Sequence, residues 1–263
     1  MRGFENPLMP TCLMKGMYRA LVETRHLTAK MAPKNRLRDG LPRGLEACWV
    51  SPAIDLRVAD VVLTPCGFRL VEHIARVGQR RNAGAARRTD LRAALFATGP
   101  SPFPGTKAER LLAAMGAALT LQRQARGGAV LVWVYADDLS KSQWRRILSL
   151  TASGHLPLIL IVLPRGPGSG QVHSIARALA KETGAEVIPV IPVDGTDAIA
   201  LYRVSQEALG RTRSEGGLVV IECLASDKDP VSVLAKHLCS KKICKTEWVT
   251  GVASDFKALA LKS

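Results

Sequence analysis

The sequence is poor in aromatic residues, which make up 5% of its 263 positions, so its apolar content rests on Ala, Leu and Val. A core of that kind suits helices packed on a sheet. Long apolar runs are missing too. The longest, "LPLILIVLP" from Leu156 to Pro164, is too short to cross a bilayer. No compact apolar segment follows a basic start, so no secretory signal is expected, and the six scattered cysteines suit a reduced, cytoplasmic protein. Cys239 and Cys244 lie close in sequence with His237 nearby, but a structural zinc site usually needs a second close pair of ligands, and there is none. Internal repeats and low-complexity tracts are absent.

Acidic residues are also scarce. Thirty-seven Lys and Arg against 22 Asp and Glu give a formal net charge of +15. That excess favours an acidic partner: a nucleic acid, a phosphorylated ligand or an acidic protein. The densest basic stretch, "RVGQRRNAGAARRTDLR", carries Arg76, Arg80, Arg81, Arg87, Arg88 and Arg92 with Asp90 as its one acid. It has no aromatics to stack on bases, which weakens a single-stranded nucleic-acid reading. A solvated basic loop is the plainer interpretation.

What is present is regular alternation in the second half. In "MKGMYRALVETRHLTAK", Met14 to Lys30, Met14, Met17, Tyr18, Leu21 and Val22 share a helical face. "DVVLTP" at Asp60 reads as a short strand. From Thr106 onward, apolar runs and helical patterns take turns. Thr106 with Glu109 offers a capping box, "AVLVWVY" a strand, and Ser140 with Gln143 a second capping box. The strand "LPLILIVL", the loop "PRGPGSG", the helix "VHSIARALAKETG" and the strand "EVIPVIPV" follow. A turn at Asp194–Asp197 then opens a long helix, and "GLVVIECL" precedes a helix around "PVSVLAKHLCSKK". Strands with continuous apolar runs, each separated by one helix, predict an α/β fold with a mostly parallel sheet covered on both faces. Residues 1–105 form a helical, irregular N-terminal segment packing on the core, and residues 106–263 form the α/β domain.

Ligands of such sheets bind beyond the carboxyl ends of the strands. Those ends carry Asp137 and Asp138, then "PRGPGSG", then "DGTD", then "ASDKD". Asp137 suits Mg²⁺, a hard cation that takes carboxylates beside a phosphate. Ser140, at a helix start, suits an anion or its own helix cap. The Gly/Pro loop has neither P-loop nor dinucleotide spacing.

Several segments together resemble the alpha subunit of the thiamine-diphosphate-dependent 2-oxo acid dehydrogenases, the decarboxylating first component of those complexes. The resemblance runs from about Met14 to Trp248. "MYRALVETRHLTAKM" is similar to the family's opening helix, "RGLEA" (Arg43 to Ala47) to Gly-Gln-Glu-Ala, and "ADVVLTPCGFR" to a diphosphate-binding segment ending in Tyr-Arg. The fullest likeness is "VIPVDGTDAIALYRVSQEALGRTRSEGGLVVIEC". The resemblance implies the thiamine-diphosphate-binding fold, thiamine diphosphate with Mg²⁺ as cofactors, and a beta-subunit-like partner. It also implies Asp137 as metal ligand and Arg69 beside the diphosphate. The alternative function is a nonenzymatic basic binding module, or a regulatory or structural subunit, binding nucleic acid or an acidic partner; a homodimer is the alternative assembly.

Departures cluster where the family holds its cofactor. Its Gly-Asp-Gly becomes Ala136-Asp137-Asp138, its Asn becomes part of "VLPRG" (Val162 to Gly166), and no Asn follows Asn82. The Tyr of Tyr-Arg is Gly67 or Phe68, and the long loop after the last strand, with its His-Ser pair, is cut to "CLASDKDPVSVL". A second Asp facing a diphosphate costs several kcal/mol at an effective dielectric of about 20. Retained binding therefore requires Arg165 to offset Asp138. These changes predict impaired or lost cofactor binding.

Overall fold

The computed structural model describes residues 9–30, 44–63, 107–124, 127–164, 171–183 and 188–261. Among them the chain runs α1 (Thr11–Lys30), α2 (Glu46–Ala53), β1 (Val61–Leu63), α3 (Lys107–Arg123), β2 (Val130–Tyr135) and α4 (Lys141–Ser153). It continues through β3 (Leu158–Leu163), α5 (Gln171–Thr183), β4 (Val190–Asp194), α6 (Ala198–Glu215), β5 (Leu218–Leu224), α7 (Pro230–Ser240) and α8 (Thr246–Leu261). The five strands form one sheet in the order β1-β2-β3-β5-β4, every pair parallel. The α/β expectation holds, and β1 brings the N-terminal stretch into the sheet. No helix of the described residues is long and apolar enough to cross a membrane.

Strand order explains which helices lie on which face. From β1 to β4 the chain steps one way across the sheet, and the right-handed crossover rule then places α3, α4 and α5 together. From β4 to β5 it steps back, so α6 falls on the opposite face. The two cores agree. Leu111 of α3, Trp144 of α4 and Val172 of α5 pack with Val132 and Leu160 of the sheet. Leu201 of α6, Met17 of α1, Trp49 of α2 and Leu238 of α7 pack with Trp133 and Ile161. Alternation along buried strands sends neighbouring side chains to opposite cores, which is why β2 and β3 are apolar at every position.

Two polar devices fix the sheet's amino edge and its first helix face. Asp60, just before β1, accepts from the Arg57 and Ala129 amides at 2.7 and 3.0 Å and from Arg213 of α6. Asp60 and Arg213 side chains are 0% and 8% exposed. Gly128 sits so close to Ala59 that an added Cβ would collide with the Ala59 carbonyl. Trp133 stacks on Trp49, centroids 5.8 Å apart, and donates its indole N–H to the Cys48 carbonyl at 3.0 Å.

Candidate functional site

The carboxyl edge of the sheet gathers the chemistry-bearing residues. The turn after β2, Ala136–Asp138, is a single 3₁₀ turn closed on itself. Asp138 folds back to accept from the Tyr135 amide at 3.2 Å. Trp144, one turn into α4, donates its indole N–H to the Ala136 carbonyl at 2.9 Å. Ser140 accepts from the Gln143 amide, and Gln143 Oε1 accepts from the Ser140 amide at 2.8 Å. The expected capping box is therefore formed, and Ser140 serves its own helix. Asp137 stands exposed at the apex of the turn.

Two strands along the sheet, Glu222 of β5 is 2% exposed and reaches to α5, accepting from the Val172 and His173 amides at 3.2 Å each. A buried carboxylate at a helix amino end is stabilised by unpaired amides and the helix dipole. Here the protein's own acid takes those amides.

The next turn carries Asp194 to Asp197. Asp194 accepts from the Thr196 amide and hydroxyl at 2.9 and 2.7 Å, with Lys228 3.7 Å away. Burial pushes the Asp194 carboxyl up, but the Thr196 hydrogen bonds and Lys228 outweigh it and hold it below its usual range. Asp197 caps α6 by accepting from the Ile199 and Ala200 amides, both at 3.0 Å. Gly195 is required because a Cβ there would lie 2.8 Å from the Leu224 carbonyl oxygen and 3.0 Å from Cys48 Sγ. Cys48 donates to the Gly195 carbonyl at 3.2 Å. The adjacent Cys223 thiol, and then burial, push the Cys48 thiol well above its ordinary range.

An ion network missed by sequence reasoning closes this side. Arg25 of α1 donates to Glu46 at 2.8 Å and pairs with Asp229, the cap of α7. It thereby joins α1, α2 and α7, whose residues are separated by up to 204 positions. Burial pushes Asp229 up, but hydrogen bonds from Arg25 and Ser232 outweigh it and bring it from 3.8 to about 2. A carboxyl depressed on folding contributes stability that is present above its unfolded value and lost as pH falls through its folded one. Its side chain is 40% exposed, so solvent screens the contribution. Urea midpoints of the native protein and Asp229→Asn should therefore differ at neutral pH and converge from about pH 4 down to about pH 2. A gap that stays constant over that window would assign the difference to packing alone.

Of the sequence-predicted site residues, Asp137, Asp138 and Ser140 lie together on one turn. Arg69, Arg165 and the Arg76–Arg92 patch lie outside the described residues, as does Thr106 of the first expected capping box. Among the described residues, no three His, Cys, Asp or Glu side chains are grouped to hold a metal ion. A cavity of about 700 Å³ lies at the opposite, amino edge, lined by His155, Leu179, Ile188, Arg211 and Leu218. Its size suits a ligand, but the strand-end rule and the polar side chains both favour the carboxyl edge.

The family described as Dehydrogenase E1 component matches residues 150–226. These residues run from the end of α4 to just beyond β5. The chain is also 31% identical over 116 residues to the subunit alpha of acetoin:2,6-dichlorophenolindophenol oxidoreductase from Bacillus subtilis (strain 168). That match covers 42% of this chain and 34% of the relative, so the likeness spans about a third of the relative's length.

Proposed function

We propose, starting from this chain's match to the dehydrogenase E1 component family over residues 150–226, that it is an α-type subunit with impaired or lost thiamine diphosphate binding. It pairs with a β-type subunit, to which it offers its carboxyl edge. The observation that carries this reading is the self-closed turn at Ala136–Asp138. A diphosphate needs open backbone and donors at such a turn. Here the Asp138 carboxylate bonds the Tyr135 amide, the Ala136 carbonyl is occupied by Trp144, and Ser140 is committed to α4. These residues do not fit the Mg²⁺–diphosphate group. Two like charges about 4 Å apart at an effective dielectric of about 20 repel by roughly 4 kcal/mol. That is on the order of a thousandfold in affinity.

The rest of the edge supports a scaffold role. Arg25, Glu46 and Asp229 fix three helices around it, while Gly195 ties the β4 turn to Leu224 of β5 through its amide and to Cys48 of α2 through its carbonyl. These contacts hold a rigid surface without requiring a cofactor. Co-purification with β-type subunits of the family, followed by 2-oxo acid decarboxylation with a dye acceptor, tests the reading. The expected result is a stable complex with turnover at least about a thousandfold below that of an α-type subunit carrying Gly-Asp-Gly. Failure to assemble with any β-type subunit, or turnover equal to that of the intact motif, would overturn it.

A further inference from the structure

Cys239 and Cys244 stand apart from the site just described. They flank the connection between α7 and α8, whose hydrogen bonds form a Schellman turn. The Ile243 amide donates to the Leu238 carbonyl at 2.9 Å and the Lys242 amide to the Cys239 carbonyl at 3.0 Å. Lys242 occupies the left-handed position, φ 55°, where glycine is usual. The reversal is tight enough that the Cys244 amide also approaches the Leu238 carbonyl, at 3.4 Å. It therefore returns position 244 to the side of position 239.

Both thiols are unbridged and half-buried, whereas Cys48 and Cys223 are sealed in the core. They also sense each other. Burial raises Cys244, the neighbouring Cys239 raises it further by charge and hydrogen bonding, and Lys15 pulls it back. The surroundings are cationic and aromatic. Lys15 and Arg19 of α1 lie over the Trp248 ring, 5.7 and 5.5 Å from its centroid, and Tyr18 packs on the same ring at 5.7 Å. Trp248 is in the first turn of α8.

We propose that Cys239 and Cys244 form a thiol–disulfide exchange site that takes low-molecular-weight disulfides such as glutathione disulfide. One cysteine thiolate attacks a sulfur of the external disulfide, whose S–S bond breaks and releases one thiol. The other cysteine thiolate then attacks the protein-side sulfur of the mixed disulfide. A Cys239–Cys244 bond forms and the second thiol leaves. Two protein S–H bonds are lost, two electrons reduce the external disulfide, and both protons end on the two released thiols.

The bridge has a mechanical consequence. α7 is held at its amino end by Arg25 on Asp229, and the bridge would hold its carboxyl end to the turn leading into α8. It would thereby fix the seating of Trp248 on α1. This inference is independent of cofactor binding and of a β-type partner.

The test equilibrates the full chain in glutathione buffers from fully reducing to fully oxidising. Free thiols are then blocked and the unreduced protein is cut with trypsin. Lys241 and Lys242 separate the two cysteines, so their fragments stay together only through a disulfide. The linked fragment should exceed every other cysteine pairing by about tenfold in the oxidising buffers. Trp248 emission should change in step, and Cys239→Ser and Cys244→Ser should each abolish both effects while keeping the native circular dichroism spectrum. Dominance of another pairing would overturn the proposal. So would single glutathione adducts without the linked fragment, or free thiols throughout.

Discussion

Asp60→Ala is expected to destabilise the protein by about 3–5 kcal/mol, enough to consume much of a typical domain's stability. The substitution removes the counter-charge of Arg213, whose side chain is 8% exposed and cannot rehydrate in place. It also orphans the Arg57 and Ala129 amides. The Ala129 amide lies immediately before β2, so its loss loosens the register by which Val61 pairs with Val130. The pair itself need not be strongly stabilising, because both ions lose their hydration on folding. Asp60→Ala combined with Arg213→Met should therefore recover part of the loss. Urea unfolding of the two single variants and the double variant checks this. Losses that simply add would mean the residues act separately.

Trp133→Ala carries the second large effect, about 3–5 kcal/mol. Trp133 is fully buried between the sheet and α2, stacked on Trp49 and bonded to the Cys48 carbonyl. Truncation leaves a ring-sized void and an unpaired carbonyl. Trp133→Phe separates these terms: it retains most of the packing and loses the indole donor, so about 1–3 kcal/mol should remain. Because Cys48 also bonds the Gly195 carbonyl, damage at Trp133 should reach the carboxyl edge. Slowed-exchange amides near Gly195 should lose protection in Trp133→Ala and keep it in Trp133→Phe. Equal protection in both variants would uncouple α2 from that turn.

The sheet was legible because buried parallel strands need apolar residues on both faces, and "VLVWVY" and "LILIVL" show that directly. Local caps were legible for a similar reason: Ser140 with Gln143 is a three-residue relationship visible in the chain. The first helix begins at Thr11, earlier than its apolar face suggests, and "EVIPVIPV" contributes its later half to β4. α2 was not anticipated, since eight residues containing Pro52 give little helical periodicity. α8 was not anticipated either, although Trp248, Val249, Val252 and Phe256 recur at helical spacing.

The site was less legible. Asp137, Asp138 and Ser140 were identified as site residues, yet the direction of the Asp138 side chain depends on the turn it closes. Arg25 with Asp229, Arg213 with Asp60, and Glu222 with the start of α5 join residues separated by 204, 153 and about 50 positions. Such pairs exist only once the sheet order has placed the helices, and no local pattern encodes them.

On the proposed reading, the Ala136–Asp138 turn hosts no metal-bound diphosphate. Calorimetric titration of thiamine diphosphate with Mg²⁺ into the full chain, alone and with a β-type subunit, tests it most directly. No binding heat is expected up to millimolar cofactor in either setting. Micromolar binding that disappears in Asp137→Ala would contradict it and make the turn a working cofactor site.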